Sequence, residues 1–121
     1  MPDWAEFAEL YHEVYREPPY RETEADAARF RETLAEHEKL PGFALTTLHS
    51  GGELAGFAYG VGRDAGWWPP SAVGAAPPWL AGSPLFYVYE LAVRPGQRGR
   101  GNGRALLDRL LRDRTEPAAV L

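Results

Sequence analysis

Apolar residues recur at helical spacing in the first part of the chain and at strand-like spacing after it. Trp4, Phe7, Ala8, Tyr11, Val14 and Tyr15 form one stripe at intervals of three and four. That stripe predicts a helix from Asp3 to about Arg16, opened by an Asp3–Glu6 capping pair and stopped by Pro18 and Pro19. Ala27, Phe30 and Leu34 predict a second helix from about Glu24 to Lys39, with Thr23 as its N-cap and Pro41-Gly42 as its stop.

Beyond Gly42 the period changes. Phe43 to His49 reads as a strand, Ser50-Gly51-Gly52 as a turn, and Glu53 to Val61 as the returning strand of a hairpin. Residues 63 to 84 contain GWWPPSAVGAAPPWLAGSP and predict a long loop, because so much Pro and Gly leaves no regular ladder. Leu85 to Val93 is the strongest strand of the chain. Simple alternation along it places Tyr87 and Tyr89 on the opposite face from Phe86, Val88 and Glu90. Gly96 to Gly103 is a glycine and arginine turn. Leu106, Leu107, Leu110 and Leu111 predict a third helix from Ala105 to about Arg112, and Ala118 to Leu121 begins another strand. The order of elements predicts an α/β fold: one domain over residues 1–121, a mixed and mainly antiparallel sheet, helices on both faces.

Composition narrows the function. A chain of 121 residues can bury roughly 65% of its unfolded surface, enough for a core without staples. There is no cysteine, hence no thiolate metal site and no cysteine nucleophile. His12, His37 and His49 lack metal-ligand spacing, so no metal is expected. The N-terminus does not resemble a secretory signal, and no apolar run approaches the ~20 residues a membrane helix needs. A cytoplasmic protein without membrane partners is the expectation. The formal charge of −4 argues against nucleic acid. Yet Arg94, Arg98, Arg100, Arg104 and Arg109 face a single acid, Asp108, within residues 94–109. A local basic spot on an acidic protein suits a compact anion.

The segment YELAVRPGQRGRGNGRALLDRLL, residues 89–111, carries that spot on a strand, a glycine-arginine loop and a helix. Gly99, Gly101 and Gly103 let a ligand approach the main chain. The first N–H groups of the following helix point at that ligand, and the helix dipole favours negative charge there. Arg98, Arg100 and Arg104 add charge-assisted donors. A pyrophosphate fits the inventory. No lysine follows the glycines as a P-loop requires, and the GxGxG spacing and late position do not match a dinucleotide fingerprint.

Arg98-Gly99-Arg100-Gly101-Asn102-Gly103 matches the pattern (Q/R)-x-x-G-x-(G/A), and Leu91-Ala92-Val93-Arg94-Pro95 precedes it. In both features the chain resembles the GNAT superfamily of N-acetyltransferases. The resemblance implies a GNAT-like fold, acetyl-CoA as co-substrate and transfer of acetyl to a primary amine of a small molecule or peptide. It implies that Leu91, Ala92 and Val93 line the pantetheine arm. Arg98 and the backbone of Gly99, Arg100, Gly101, Asn102, Gly103 and Arg104 would hold the pyrophosphate. Glu90, a carboxylate in an otherwise apolar strand, is the candidate general base, since burial raises its pKa; a structural glutamate at a strand bulge is the plain alternative. Trp67, Trp68 and Trp79 of the long loop either meet an acceptor or pin the loop to itself.

The chain also departs from the family pattern. It resembles a C-terminally shortened domain, without the later strands and helix and without the tyrosine acid of that helix; Tyr87 and Tyr89 are expected as core or cleft wall, and one of them would protonate the departing thiolate only if a compact monomer proves active. An open strand edge at this end predicts a homo-oligomer. The competing functions are a non-catalytic acyl-CoA-binding or interaction module and a nucleotide-binding protein with the same cradle.

Overall fold

The computed structural model describes residues 4–70 and 74–121. The elements follow in the order α1 (Trp4–Tyr15), α2 (Glu24–Glu38), β1 (Phe43–Ser50), β2 (Glu53–Arg63), β3 (Leu85–Val93), a 3-10 turn (Pro95–Gln97), α3 (Asn102–Leu111) and β4 (Ala119–Val120). The expected Asp3–Glu6 cap lies outside the described residues. Thr23 caps α2 as expected, and reciprocally: its hydroxyl accepts from the Asp26 N–H at 3.3 Å, and the Asp26 carboxylate accepts from the Thr23 N–H at 2.8 Å.

The four strands lie in the order β1-β2-β3-β4. The β1–β2 and β2–β3 pairs are antiparallel, and the short β4 runs parallel to the start of β3. Gly51 and Gly52, with φ of 60° and 83°, form the tight turn that pairs Ser50 with Glu53. The tail folds against its own chain: Phe86 donates its N–H to the Ala118 carbonyl at 2.9 Å.

β2 is the central strand and is buried along most of its length. One face of the sheet packs on α1 and α2 through Phe57, Tyr59 and Ala92 against Trp4, Phe7, Leu10, Val14 and Leu34. The other face packs on α3 through Ala58, Phe86 and Val88 against Leu106 and Leu110. Helices on both faces of a mixed sheet are what the pattern of elements predicts.

The register between β2 and β3 slips in the middle. Tyr59 pairs with Glu90, but its neighbour Gly60 pairs with Val88, which leaves Tyr89 as the extra residue of a β-bulge. Gly60 is required at this point. A Cβ there would lie 2.5 Å from the Tyr87 carbonyl oxygen and 2.6 Å from the Phe86 ring. The bulge corrects the expected alternation. Tyr89 packs with the cluster under α1 and α2, and Glu90 also reaches α1, so the two share a face rather than opposing each other.

Candidate active site

Glu90 sits at the bulge with its carboxylate directed at the last turn of α1. Oε2 accepts a hydrogen bond from the Tyr15 hydroxyl at 2.5 Å and one from the Leu91 N–H at 3.2 Å. Burial drives the carboxyl pKa up to about 7. The Tyr15 and Leu91 bonds oppose that rise, and the Glu22 carboxylate adds to it. Burial, and then the charge of Glu90, hold the Tyr15 phenol well above its ordinary pKa, so it stays protonated.

On one side of Glu90 opens a cleft of about 400 Å³ between α1, α2 and the sheet. Its aromatic lining comes from Tyr11, Phe30, Tyr59 and Tyr89. Tyr11 stacks on Phe30 with centroids 4.2 Å apart, and Tyr59 stacks on Tyr89 at 5.8 Å. Its polar lining includes Glu22, Asp26, Arg29 and Glu90. The segment after α1 returns Glu22 to this place, since the Glu22 N–H bonds the Tyr15 carbonyl at 2.7 Å. The Glu22 carboxylate then accepts from the Tyr11 hydroxyl at 2.6 Å. Asp26 is paired with Arg29 at the rim.

On the other side lies a slot of about 340 Å³ lined by Leu91, Ala92 and Val93, with Val14, Tyr15, Tyr20, Arg98 and Gly103. It leads to the glycine-arginine loop. Gly99 and Gly101 adopt φ of 77° and 76°, where L side chains are strained. A Cβ at Gly96, Gly99 or Gly101 would meet nothing within 4 Å, so the loop backbone is open to a ligand. Gly101 caps α3 without a side-chain bond, and the first N–H returned to the helix is Ala105 to the Gly101 carbonyl at 3.0 Å. The preceding amides are the free donors of a helix start. Asn102 fixes the loop from within by donating Nδ2 to the Gln97 carbonyl at 2.9 Å. Arg100 and Arg104 are exposed beside it. These groups fit a diphosphate.

Three of the five arginines have other duties. Arg94 pairs with Glu13 and bonds the Leu54 carbonyl, and Arg109 bonds the Thr47 carbonyl. Arg98 lines the slot, but its Nε donates to the Val93 carbonyl at 3.2 Å and its Nη1 to Glu17 at 3.3 Å. The basic spot therefore narrows to Arg100 and Arg104, with Arg98 half engaged.

The sequence reading missed most of the cleft. Tyr11, Tyr15 and Phe30 lie on helical stripes assigned to the core, while Glu22 and Asp26 lie near a turn and a cap. One signal was available: Tyr11 and Tyr15 share the buried face of α1, and a buried phenol needs a polar partner. Trp67 does not line this cleft. It packs edge-on to Tyr87 at 5.3 Å and under the Arg63 guanidinium at 4.6 Å, pinning the loop. Arg63 in turn donates to the Tyr89 hydroxyl at 2.5 Å. His37 is a packing residue, its Nδ1 2.9 Å from the Tyr59 hydroxyl. Among the described residues no acid and histidine cluster suits a metal, and no helix is long and apolar enough to cross a membrane.

Comparison with known proteins shows the family and the fold. The family model described as acetyltransferase (GNAT) family matches residues 4–116. The chain belongs to the GNAT acetyltransferase family. No curated protein matches it significantly. Solved structures share the fold at low identity. The aminoglycoside N-acetyltransferase AAC(6')-Iy, solved in complex with CoA, is 15% identical with a TM-score of 0.60 over 95% of this chain and 66% of its own. A ribosomal-protein-alanine N-acetyltransferase from Brucella melitensis biovar Abortus 2308 is 21% identical, with a TM-score of 0.58 over 96% and 70%. A transcriptional regulator from Bacillus halodurans C-125 is 15% identical, with a TM-score of 0.66 over 99% and 77%. The chain thus spans about two thirds to three quarters of the length of these structures.

Proposed function

We propose that this chain transfers the acetyl group of acetyl-CoA to a primary amine, with Glu90 as general base. The observation that carries the reading is the position of Glu90: a partly buried carboxyl, with a pKa of about 7, between an acidic aromatic cleft and a slot that ends at an open glycine loop. At neutral pH a primary amine is mostly its alkylammonium ion, and a base that titrates near neutral pH is matched to removing that proton. Glu22 and Asp26 favour a cationic acceptor at the mouth of the cleft, and the aromatic rings favour its apolar stem. On the other side, the open backbone of residues 99–104, Arg100 and Arg104 would hold the pyrophosphate. Leu91, Ala92 and Val93 would line the pantetheine arm. Acetyl-CoA supplies the thioester that the amine attacks.

Release of free thiol from acetyl-CoA, followed with a panel of primary amines, tests the reading. Saturable release that depends on the amine is the expected result, with ATP a poor competitor. Tight coenzyme A binding without release for any amine would instead favour a non-catalytic acyl-CoA-binding module.

A further inference from the structure

Acyl transfer from a thioester moves one proton twice. The attacking amine must lose it, and the departing sulfur must gain one. Glu90 lines the cleft, Tyr15 lines the slot, and a hydrogen bond joins the two. The Tyr15 ring lines the slot together with Leu91, Ala92 and Val93. Its hydroxyl is hydrogen-bonded at 2.5 Å to Glu90, which lines the cleft on the other side.

We propose that Tyr15 and Glu90 form a proton relay in which the Tyr15 hydroxyl protonates the departing thiolate and Glu90 reprotonates Tyr15. This inference rests on the acetyl-transfer reading above. The step balances. The amine nitrogen bonds to the acetyl carbon and the carbon–sulfur bond breaks. The substrate ammonium first gives one proton to solvent by way of Glu90; the proton that the nitrogen sheds on forming the amide then passes to Glu90, the Tyr15 proton passes to sulfur, and the Glu90 proton passes to the Tyr15 oxygen. The products are the amide and the thiol, and both residues return to their starting states. No oxidant or further reactant is involved.

The electrostatics run in the required direction. With Glu90 ionised, its charge and burial hold Tyr15 protonated. Once Glu90 has taken the proton of the amine, that charge is gone and Tyr15 becomes the stronger acid at the moment the sulfur needs a proton. Glu90 is the nearest charge acting on the phenol; Tyr11 from α1 and Tyr20 from the following segment also face it. Arg98 also lines the slot, with its guanidinium paired to Glu17. The family pattern expects its acid in a later helix. Here a tyrosine of α1 takes the role.

Two measurements test the relay, one of them without turnover. Tyr15→Phe keeps the ring and removes the proton. Coenzyme A affinity by calorimetry should stay within about twofold, while the single-turnover rate falls about 10- to 100-fold. The parent should show a curved proton inventory in mixtures of light and heavy water, and the variant a straight one. Separately, carbon-13 NMR of ring-labelled tyrosine, with Tyr15 identified by its loss in Tyr15→Phe, should show Tyr15 titrating at lower pH in Glu90→Gln than in the parent. A Tyr15→Phe enzyme as fast as the parent, an unchanged curved inventory, or a Tyr15 signal indifferent to Glu90→Gln overturns the relay alone. A parent that binds coenzyme A but acetylates no amine overturns acetyl transfer and the relay with it, so the two failures are distinguishable. Should Tyr15→Phe not fold, sequence-specific assignment of the Tyr15 ring resonance in the parent and in Glu90→Gln lets the titration still decide.

Discussion

The slot and its loop draw most of their residues from one run of chain, Leu91 along β3 through the loop to Arg104, with Val14, Tyr15 and Tyr20 packed across it. The cleft is assembled from α1, the segment after it, α2, β2 and β3, and the contact between slot and cleft joins Tyr15 to a residue 75 positions away. The first half works through backbone: free amides, left-handed glycines and strand edges. The second works through side chains that only tertiary packing brings together. In the proposed reading the local backbone device would bind the coenzyme, and the cleft of scattered side chains would select the acceptor.

The largest effect should fall where the two halves meet. Glu90→Gln removes the proposed base but retains an acceptor for the Tyr15 hydroxyl. At neutral pH the rate should fall by about 10²–10⁴-fold, while coenzyme A affinity by calorimetry should hardly change. The parent rate should decline below pH of about 7, as Glu90 takes its own proton. The variant should regain rate at high pH, where amines deprotonate unaided. A variant equal to the parent at pH 7 would make Glu90 a structural acceptor and leave the site without its base.

The converse substitution strikes the backbone half. Gly101 sits at φ 76° with nothing near its missing Cβ. No clash inside the protein therefore forbids a side chain. The obstacles in Gly101→Val are the left-handed angle, costly for a β-branched residue, and a side chain standing over the amides that would meet the anion. Coenzyme A should bind about 10- to 100-fold more weakly, an effect on the order of 1.4–2.8 kcal/mol. In contrast to Glu90→Gln, any rate that survives should keep the parent pH profile. Unchanged affinity would show that the loop is not the pyrophosphate cradle.

Stability offers a third comparison. The carboxyl of Glu90 rises from an ordinary value of 4.5 to about 7 on folding. A raised acid stabilises the fold while it is protonated, below the unfolded value, and loses that contribution as pH climbs through the folded one. Above that range the folded protein carries a buried charge. Glu90→Gln should therefore be more stable than the parent by about 1–3 kcal/mol at pH 8, and the difference should vanish near pH 4. Urea melts at both pH values measure it. A difference independent of pH would place the effect in packing rather than charge. A gain in stability that accompanies a loss of rate is the usual mark of a group kept for chemistry.

How much of this could be read in advance follows the same division. Periodicity located α1, α2, the hairpin, β3 and α3, because each element announces itself in its own residues. The geometry of residues 98–104 was legible because it is local: glycines at left-handed angles, amides at a helix start, charge alongside. Glu90 was legible as a carboxylate in an apolar strand. Its company was not. A β-bulge turns on one residue of register, and the clue, that Gly60 cannot carry a Cβ beside Tyr87 and Phe86, exists only once β2 and β3 are paired. Tyr15 and Glu22 were hidden for the same reason. A phenol on a core stripe looks like packing until the strand opposite presents a carboxylate.

The smallest effect concerns the residue that the motif singled out. Arg98 opens the signature, and on sequence grounds its loss should cost about 10- to 100-fold in coenzyme A affinity, the worth of a charge-assisted bond. The structure lowers that figure. Its guanidinium is half exposed and already donates to the Val93 carbonyl and to Glu17. An exposed pair of this kind is worth about 0–1 kcal/mol, so a ligand that replaces it gains little more. Arg98→Ala should weaken coenzyme A binding by only about two- to fivefold. Arg100→Ala and Arg104→Ala, whose side chains have no ion pair among the described residues, should each cost more, about tenfold. Calorimetry at low salt ranks the three. If Arg98 proves the costliest, its ties to Val93 and Glu17 must break on binding, and the loop that looks ready-made would be one that the coenzyme rearranges.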